Sequence, residues 1–297
     1  MLKKYFAWYL LLLIFFSSND LFTSKYYLSM CAIFKNEAQY LKEWIEFHQL
    51  AGVEHFYLLN NRSTDDYQKV LEPYVKRGIV NLYQWNYTLE DFKNWAQMQR
   101  TAYNKIIQKH KFDTTWLAII DIDEFLFPTK KNNLKEFLKD YEEFGGVCAN
   151  WVMFGTNNVN KIPQNKLLIE SLISRAKKNH PRQKYVKSIV QPRYVKYYHV
   201  HHGKFYDKKH FIVTENKERI HKARSPYFSV NKIRVNHYWT RDENFFNNTK
   251  IPRAREMKMR GTPEMKRILQ WKREFNKEKD FAISRFVKPL KKLMSNL

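Results

Sequence analysis

The chain has 297 residues, which suits one large domain with a single hydrophobic core and a tail. Apolar residues make up 44% of it and aromatic residues 16%, so disordered, collagen-like and low-complexity classes are excluded. With only 7 Gly, the sequence contains no glycine-rich phosphate loop. The formal net charge of +24 indicates polyanionic surroundings: nucleic acid, acidic lipid headgroups or a phosphorylated substrate.

A signal-like segment opens the chain. Lys3 and Lys4 precede an uninterrupted apolar run over residues 5–16. This run is shorter than the ~20 residues of a spanning helix and fits the hydrophobic region of a signal peptide, yet no clean cleavage site follows it. An uncleaved short anchor and a buried N-terminal helix are the other interpretations. We therefore predict a signal-like or membrane-anchor segment over residues 1–24 and a membrane-associated protein.

Strand-like and helix-like segments alternate from residue 26 to residue 138, which is typical of a doubly wound α/β layer. The predicted elements are a strand over 27–34, a helix opened by Asn36 and Glu37 and ending at Gly52, a strand over 53–59, a polar loop over 60–66, a helix over 67–76, a strand over 79–85, a helix over 91–109 and a strand over 116–120. The last strand is continuously apolar, as expected for a strand buried on both faces of a parallel sheet.

Beyond residue 138 the pattern is less regular, with strand-like segments over 147–154 and 230–239. His199, His201 and His202 suggest zinc, but no cysteine and no fourth ligand at suitable spacing joins them. We expect them to pack in a strand or loop, and contact with a substrate is the other interpretation. The basic residues 251–297 predict one or two amphipathic helices on the domain or on a membrane, or a solvated helical face. We assign 25–250 to one α/β domain and 251–297 to a basic helical tail.

The segment Asp121–Glu124, Asp-Ile-Asp-Glu, follows the predicted buried strand. In an extended chain alternate residues share a side, so Asp121 and Asp123 point together while Ile122 points into the core. A hard divalent cation, Mg²⁺ or Mn²⁺, is the usual reason for such a pair to stay ionised beside a core. Ligands of open α/β sheets bind beyond the carboxyl ends of the strands. The pattern and its position predict a metal site.

Ordered motifs between residues 28 and 250 carry a family resemblance. They are Cys31–Glu37, Tyr40–Leu41, Glu43–His48, Asn61–Ser63, Asp65, Leu71–Tyr74, Gln99, Tyr103, Trp116–Leu117, Asp121–Phe125, Trp151, Phe154–Gly155, Lys187–Val190, His237–Tyr238 and Arg241. With these motifs the chain resembles glycosyltransferase family 92 and the related family 2-like transferases. The resemblance implies a GT-A fold, with a Rossmann-like mixed sheet flanked by helices. It further implies a nucleotide-sugar donor, a glycan or other hydroxyl acceptor, and Mn²⁺ or Mg²⁺ as cofactor.

The resemblance also implies roles for individual residues. It places the donor nucleotide at Asn36, Glu37 and Asp65, the metal at Asp121, Asp123 and His237, and substrate contacts at Glu124, Trp151 and Gly155. Several of these roles have a plain structural alternative. Asn36 is also a typical helix N-cap, Asp65 a loop cap, His237 a core histidine, Trp151 a strand-core residue, and Glu124 a support facing away from the metal.

Members of the family invert the anomeric centre, which implies that a carboxylate deprotonates the acceptor hydroxyl during direct displacement. Asp242 and Glu243 are the candidate bases, and each is equally explained as a surface acid. Here the sequence departs from the family, whose serine-rich run is replaced by Thr240–Glu243. The predicted activity is therefore that of a hexosyltransferase that uses a UDP-linked donor. The identity of the acceptor stays open.

Two other functions compete with this one. A basic nucleic-acid-binding protein or metal-dependent nuclease explains the charge, but no helix-turn-helix, RNP-like or zinc-finger pattern supports a nucleic-acid partner. A lectin-like module without catalysis is the second. Asn61, Asn86 and Asn247 begin glycosylation triplets, which we expect to be incidental because Asn61 lies in the donor loop.

Overall fold

The computed structural model describes residues 24–258 and 265–295. Within those ranges the strands are β1 (Tyr26–Phe34), β2 (His55–Asn60), β3 (Val80–Gln84), β4 (Thr114–Ile119), β5 (Glu124–Pro128), β6 (Gly146–Met153), β7 (Ser174–Arg175), β8 (Val186–Val190), β9 (Val195–Tyr198), β10 (Gly203–Phe205), β11 (Ile212–Val213), β12 (Arg219–Ile220), β13 (Ile233–His237) and β14 (Glu278–Lys279). The α-helices are α1 (Ala38–Leu50), α2 (Tyr67–Lys76), α3 (Trp95–His110), α4 (Leu134–Leu138), α5 (Leu168–Ser171), α6 (Glu243–Phe245), α7 (Ile251–Lys258), α8 (Met265–Glu274) and α9 (Val287–Ser295).

A mixed sheet forms the centre of the molecule. Strands β3, β2, β1 and β4 are adjacent and parallel. Strand β8 runs antiparallel between β4 and β6. Beyond β6 lie β11 and β13, both parallel to it, and β5 pairs antiparallel with β13. The predicted fold class, α/β with a Rossmann-like mixed sheet flanked by helices, is confirmed.

The sheet separates two apolar layers, and the alternation of side chains along a strand explains why. In β1, Met30 and Ala32 pack with the cluster that contains Trp44 of α1. Cys31 and Ile33 point to the other face, where α3 packs. Strand β4 divides in the same way and is buried on both faces, as its continuous apolar run predicts.

The predicted tail packs on the domain over its described residues. Phe286 and Leu290 are buried, and the Phe286 ring lies 4.8 Å from that of Phe47 on α1. Strand β14 pairs with β7, which joins the end of the chain to its middle. Among the residues described, no helix combines the length and apolarity needed to cross a membrane, and the apolar run 5–16 lies outside them.

Candidate active site

Three loops meet at one edge of the sheet because they follow parallel neighbouring strands. Asn36 follows β1, residues 61–66 follow β2, and Asp121 and Asp123 lie in the turn between β4 and β5. This edge is where open α/β sheets bind ligands. The structure therefore places the predicted donor and metal residues at one end of the parallel strands.

Asp121 is held by neutral and charged donors. Its Oδ1 accepts hydrogen bonds from Gln99 Nε2 (3.2 Å) and from the Tyr103 hydroxyl (3.3 Å), both on α3. Its Oδ2 accepts from Lys187 Nζ at 2.8 Å. Burial acts to raise the pKa of Asp121, but the Lys187 ammonium outweighs it and holds that pKa below its usual value. Asp121 is therefore an oriented, ionised carboxylate.

Asp123 faces a second set of partners. Lys250 Nζ lies 3.1 Å from its Oδ2, and His237 Nε2 lies 3.4 Å from its Oδ1. Burial acts to raise the pKa of Asp123, while Lys250 and His237 lower it well below its ordinary range. Lys250 ends a π-helical turn, Phe246–Lys250, a kind of irregularity that is frequent at functional sites. Both aspartates are thus ionised next to lysines.

His237 and Glu124 lie behind the two aspartates. They are register partners on β13 and β5, and His237 Nδ1 lies 3.7 Å from Glu124 Oε1. Burial lowers the pKa of His237, which favours the neutral imidazole that a metal ligand requires.

Glu124 is completely buried. Its Oε2 accepts the Asp121 backbone N–H at 2.8 Å and lies 3.3 Å from Lys187 Nζ. Burial raises the pKa of Glu124 well above its usual value, although Lys187 lowers it in part. This position agrees with the supporting role considered for Glu124 rather than with direct acceptor contact.

The donor set suits a hard divalent cation. Two carboxylates and an imidazole are typical ligands of Mn²⁺, and carboxylates of Mg²⁺. The Asp121 side chain is 29% exposed, so the cluster reaches the surface. Among the described residues, no three or more His, Cys, Asp or Glu side chains are already arranged around one metal position. The set fits a cation that takes the place of Lys250 beside Asp123.

The first two strand-to-helix loops are tied together by the predicted donor residues. Asn36 has a φ of 54°, and its Oδ1 accepts the Thr64 N–H at 2.8 Å. Asp65 Oδ2 accepts the Ala38 N–H at 2.8 Å and so caps α1 from the neighbouring loop. Asn36 bonds across to the second loop, whereas Asp65 fulfils the capping role.

Glu37 pairs with a buried arginine. Arg241 Nη1 lies 2.5 Å from Glu37 Oε2, and its guanidinium carbon lies 3.7 Å from the centre of the Tyr40 ring. Burial acts to lower the pKa of Arg241, but Glu37 and Tyr40 raise it above its ordinary value. Arg253 Nη1 lies 3.6 Å from the other Glu37 oxygen. The pair ties the segment after His237 to the first loop.

The two predicted bases differ in their surroundings. Asp242 is buried, and its carboxylate accepts the backbone N–H groups of Phe245 (2.8 Å) and Ile162 (2.9 Å). It therefore acts as the N-cap of α6. Glu243 accepts the Thr156 hydroxyl at 2.6 Å and pairs with Lys272, and its side chain is 22% exposed. Both carboxylates thus have hydrogen-bond partners, and the role of catalytic base stays a prediction for each of them.

Trp151 and Gly155 lie on different sides of the site. The Trp151 ring is 4.5 Å from that of His237 and so adjoins the metal residues. A Cβ on Gly155 would lie 2.6 Å from Asn276 Cγ, so the glycine permits close packing of the C-terminal segment. Trp151 therefore lies beside the metal residues, and its contact with substrate stays a prediction. Gly155 packs against the C-terminal segment.

Two further predictions concern residues near the site. Asn61 is buried, and its amide donates to the carbonyl oxygens of Trp85 (2.9 Å) and Tyr87 (2.8 Å), which leaves it inaccessible to glycosylation. His199 and His202 stack on each other at 4.5 Å, in agreement with the packing expected of them.

Several charged and polar residues of the site were not assigned a role from sequence. Gln99 and Tyr103 are one helical turn apart on the buried face of α3, a polar pair where apolar residues are usual. Lys187 interrupts an apolar strand, which was a usable signal of a buried cation. Lys250 gave no signal, because it lies far along the chain among many other basic residues.

Comparison with known proteins decides the family. The family model for glycosyltransferase family 92 matches residues 24–279. The chain belongs to glycosyltransferase family 92. A family 92 protein of Oryza sativa subsp. japonica is 27% identical over 139 residues, covering 46% of this chain and 22% of the rice protein. Galactan beta-1,4-galactosyltransferase GALS2 of Arabidopsis thaliana is 24% identical over 109 residues, covering 36% of this chain and 21% of that protein.

The matched part of the chain thus spans 22% and 21% of the length of these two relatives. Among solved structures, S. aureus TarS 1–349 in complex with UDP is 13% identical, with a TM-score of 0.35, and the match covers 56% of this chain and 47% of that chain. The family match confirms the resemblance seen in the sequence.

Proposed function

We propose that this family 92 protein transfers a hexose from a UDP-linked donor to a hydroxyl group of a glycan or other acceptor, with inversion and with Mn²⁺ or Mg²⁺ at Asp121 and Asp123. The observation that carries the proposal is the pair of ionised aspartates at the carboxyl end of β4, each beside a lysine. The similarity to the galactosyltransferase GALS2 supports a hexose as the transferred sugar.

The residues of the site suit the departure of a diphosphate. Gln99, Tyr103 and Lys187 fix the carboxylate of Asp121. A bound divalent cation would supply neutralisation of the negative charge that develops on the leaving diphosphate. Lys250 lies at Asp123, and Arg253 donates to the Lys35 carbonyl oxygen at 2.9 Å beside the first loop. We propose that both side chains bind phosphate oxygens of the donor.

Inversion requires a single displacement. The acceptor oxygen forms a bond to the anomeric carbon while the bond from that carbon to the diphosphate oxygen breaks, and the hydroxyl proton passes to a carboxylate. Of the two candidate bases we retain Glu243, because Asp242 is buried and both its oxygens accept backbone N–H groups. Glu243 lines a cavity of about 480 Å³ together with Lys272 and Asn276.

The test is release of UDP by the full chain from UDP-glucose, UDP-galactose and UDP-N-acetylglucosamine, with Mn²⁺, with Mg²⁺ and with chelator. We expect metal-dependent release that Asp123→Asn reduces on the order of a hundredfold and that Asp140→Asn, a change at an exposed acid, leaves intact. Undiminished release by Asp123→Asn would defeat the metal assignment. Tight nucleic-acid binding at physiological salt without UDP release would favour the nucleic-acid alternative.

We also propose that residues 5–16 associate the protein with a membrane. The support is the length and uninterrupted apolarity of that run. Flotation of the full chain with lipid vesicles, compared with a chain that lacks residues 1–23, tests this proposal. Equal flotation of the two chains would contradict it.

A further inference from the structure

An arginine sits between two aromatic rings on the side of the site formed by the C-terminal segment. The guanidinium carbon of Arg182 lies 4.0 Å from the centre of the Trp271 ring and 5.6 Å from that of Tyr185. Its Nε is buried and has no hydrogen-bond partner among the described residues. Stacking of this kind fixes the plane of a guanidinium and directs its terminal N–H groups along that plane.

The surroundings of Arg182 are basic. Arg224 lies 4.9 Å from the Tyr185 ring, and Arg267 is also near. Burial lowers the pKa of Arg182, and these two arginines lower it further. None of the three forms an ion pair with any carboxylate side chain that the structure describes. The cluster therefore has uncompensated positive charge.

The nearest acid on α8 is already engaged. Glu274 accepts hydrogen bonds from His180 Nε2 at 2.9 Å and from Gln270 Nε2 at 2.8 Å. Both of its carboxylate oxygens thus have partners other than arginine. Glu274 is therefore not available to Arg182, and an anion from another molecule can pair with this arginine.

Aromatic rings connect this cluster to the two aspartates along two routes. Tyr185 stacks on Trp151 at 5.5 Å, and Trp151 adjoins His237 at 4.5 Å. On the other side, Trp271 lies 6.0 Å from Trp239, whose ring is 5.1 Å from Lys250 Nζ. Tyr185, Trp239 and Trp271 are half-buried, so part of each ring surface is open. Such surfaces suit the apolar faces of sugar rings.

We propose that Arg182, assisted by Arg224 and Arg267, binds an anionic substituent of the acceptor glycan, either a carboxylate or a sulfate or phosphate ester. This inference rests on the proposed transferase function. The planar guanidinium offers two parallel N–H groups, the geometry that recognises such oxygens bidentately. The acceptor chain then lies on the aromatic rings with its reacting hydroxyl toward the bound donor.

The experiment measures binding separately from transfer. Calorimetry on the full chain uses trigalacturonate, a neutral β-1,4-galactotriose and a sulfated galactotriose as probes, with UDP binding as a second readout. We expect an acidic probe to bind more tightly than the neutral one, and Arg182→Ala to weaken that binding about tenfold or more. Comparison of the carboxylate and sulfate probes identifies which anion the site takes.

Two further variants keep the inference falsifiable. Arg182→Lys retains the charge but not the fork, and we expect affinity between those of the wild type and the alanine variant. Arg193→Ala removes an arginine that stacks on Tyr194 at 4.6 Å, and it serves as the matched control with no expected effect.

The outcomes separate this inference from the transferase proposal. Equal affinity of the wild type for the acidic and neutral probes would overturn the subsite, as would equal effects of the changes at Arg182 and Arg193. Acid binding that depends on Arg182 in a protein that neither binds UDP nor transfers sugar would defeat the transferase and retain the anion site. UDP binding unchanged in every variant is the expected sign that the donor site is intact.

Discussion

Lys187 is the buried cation on which the charge balance of the site depends. Its side chain is 1% exposed, with its ammonium 2.8 Å from Asp121 Oδ2 and 3.3 Å from Glu124 Oε2. Lys187→Met keeps an unbranched apolar stem and removes the charge. We expect a marked loss of stability, because two carboxyl groups then lose their shared counter-charge.

The size of the effect follows from what the partners retain. Removal of one member of a buried ion pair costs about 3–5 kcal/mol. Asp121 is 29% exposed and keeps its bonds from Gln99 and Tyr103, so water and neutral donors compensate part of its charge. Glu124 is fully buried and keeps the Asp121 N–H, with His237 Nδ1 3.7 Å from its Oε1, and its raised pKa allows it to take up a proton. We therefore expect Lys187→Met to lower the free energy of unfolding by the lower end of this range, about 3 kcal/mol.

Urea unfolding of the full chain at pH 7, followed by tryptophan fluorescence, measures this difference. Lys184→Met is the control, because Lys184 is exposed and its ammonium contacts only the Pro226 carbonyl oxygen, at 3.0 Å. The double change Lys187→Met/Glu124→Gln should recover part of the loss, since a neutral amide needs no counter-charge. A loss no larger than that of Lys184→Met would refute the reasoning.

Three other changes test separate parts of the structure. Asp123→Asn should reduce UDP release on the order of a hundredfold in steady-state kinetics, and retention of most of the rate would contradict its role. Burial lowers the pKa of His48 to about 3, so between about pH 6.5 and pH 3 the unfolded state binds more protons than the folded state. The free energy of unfolding therefore falls by about 1.4 kcal/mol for each unit by which the pH decreases in this range. His48→Gln should flatten that dependence in urea midpoints at pH 5 and 7, and an unchanged slope would exclude this histidine. Gly155→Ala should cost about 1–3 kcal/mol by thermal unfolding, because its Cβ would lie 2.6 Å from Asn276 Cγ, and an unchanged melting temperature would show that the segment adapts.

The parallel half of the fold could be predicted from sequence because its signals are local. The helix expected over 67–76 is α2, Tyr67–Lys76, and the apolar run over 116–120 is the two-sided strand β4. The order of the strands in the mixed half of the sheet could not be predicted in the same way. Strand β8 lies between β4 and β6, and β5 pairs with β13. Each of these pairings joins segments that are far apart in the sequence, and the periodicity of a segment does not show which distant strand it pairs with.

The acids of the site were visible in the sequence, and their counter-charges were not. Asp121 and Asp123 stand out because carboxylates directly after an apolar strand are unusual. The lysines that neutralise them are two among 53 basic residues, most of which belong on the surface. In the structure these two lysines are distinguished by the burial of Lys187 and by the contact of the Lys250 ammonium with Asp123.

This division has a physical consequence for how the domain is assembled. The turn between β4 and β5 holds Asp121, Asp123 and Glu124 close together, and by themselves these carboxyl groups repel one another and lose hydration. The compensating cations come from β8 and from the π-helical turn after α6, both of which follow strand β6 in the sequence. The first half of the domain therefore carries the two aspartates of the site, while the second half supplies His237 and the two lysines whose charge allows those aspartates to stay ionised before a divalent cation binds.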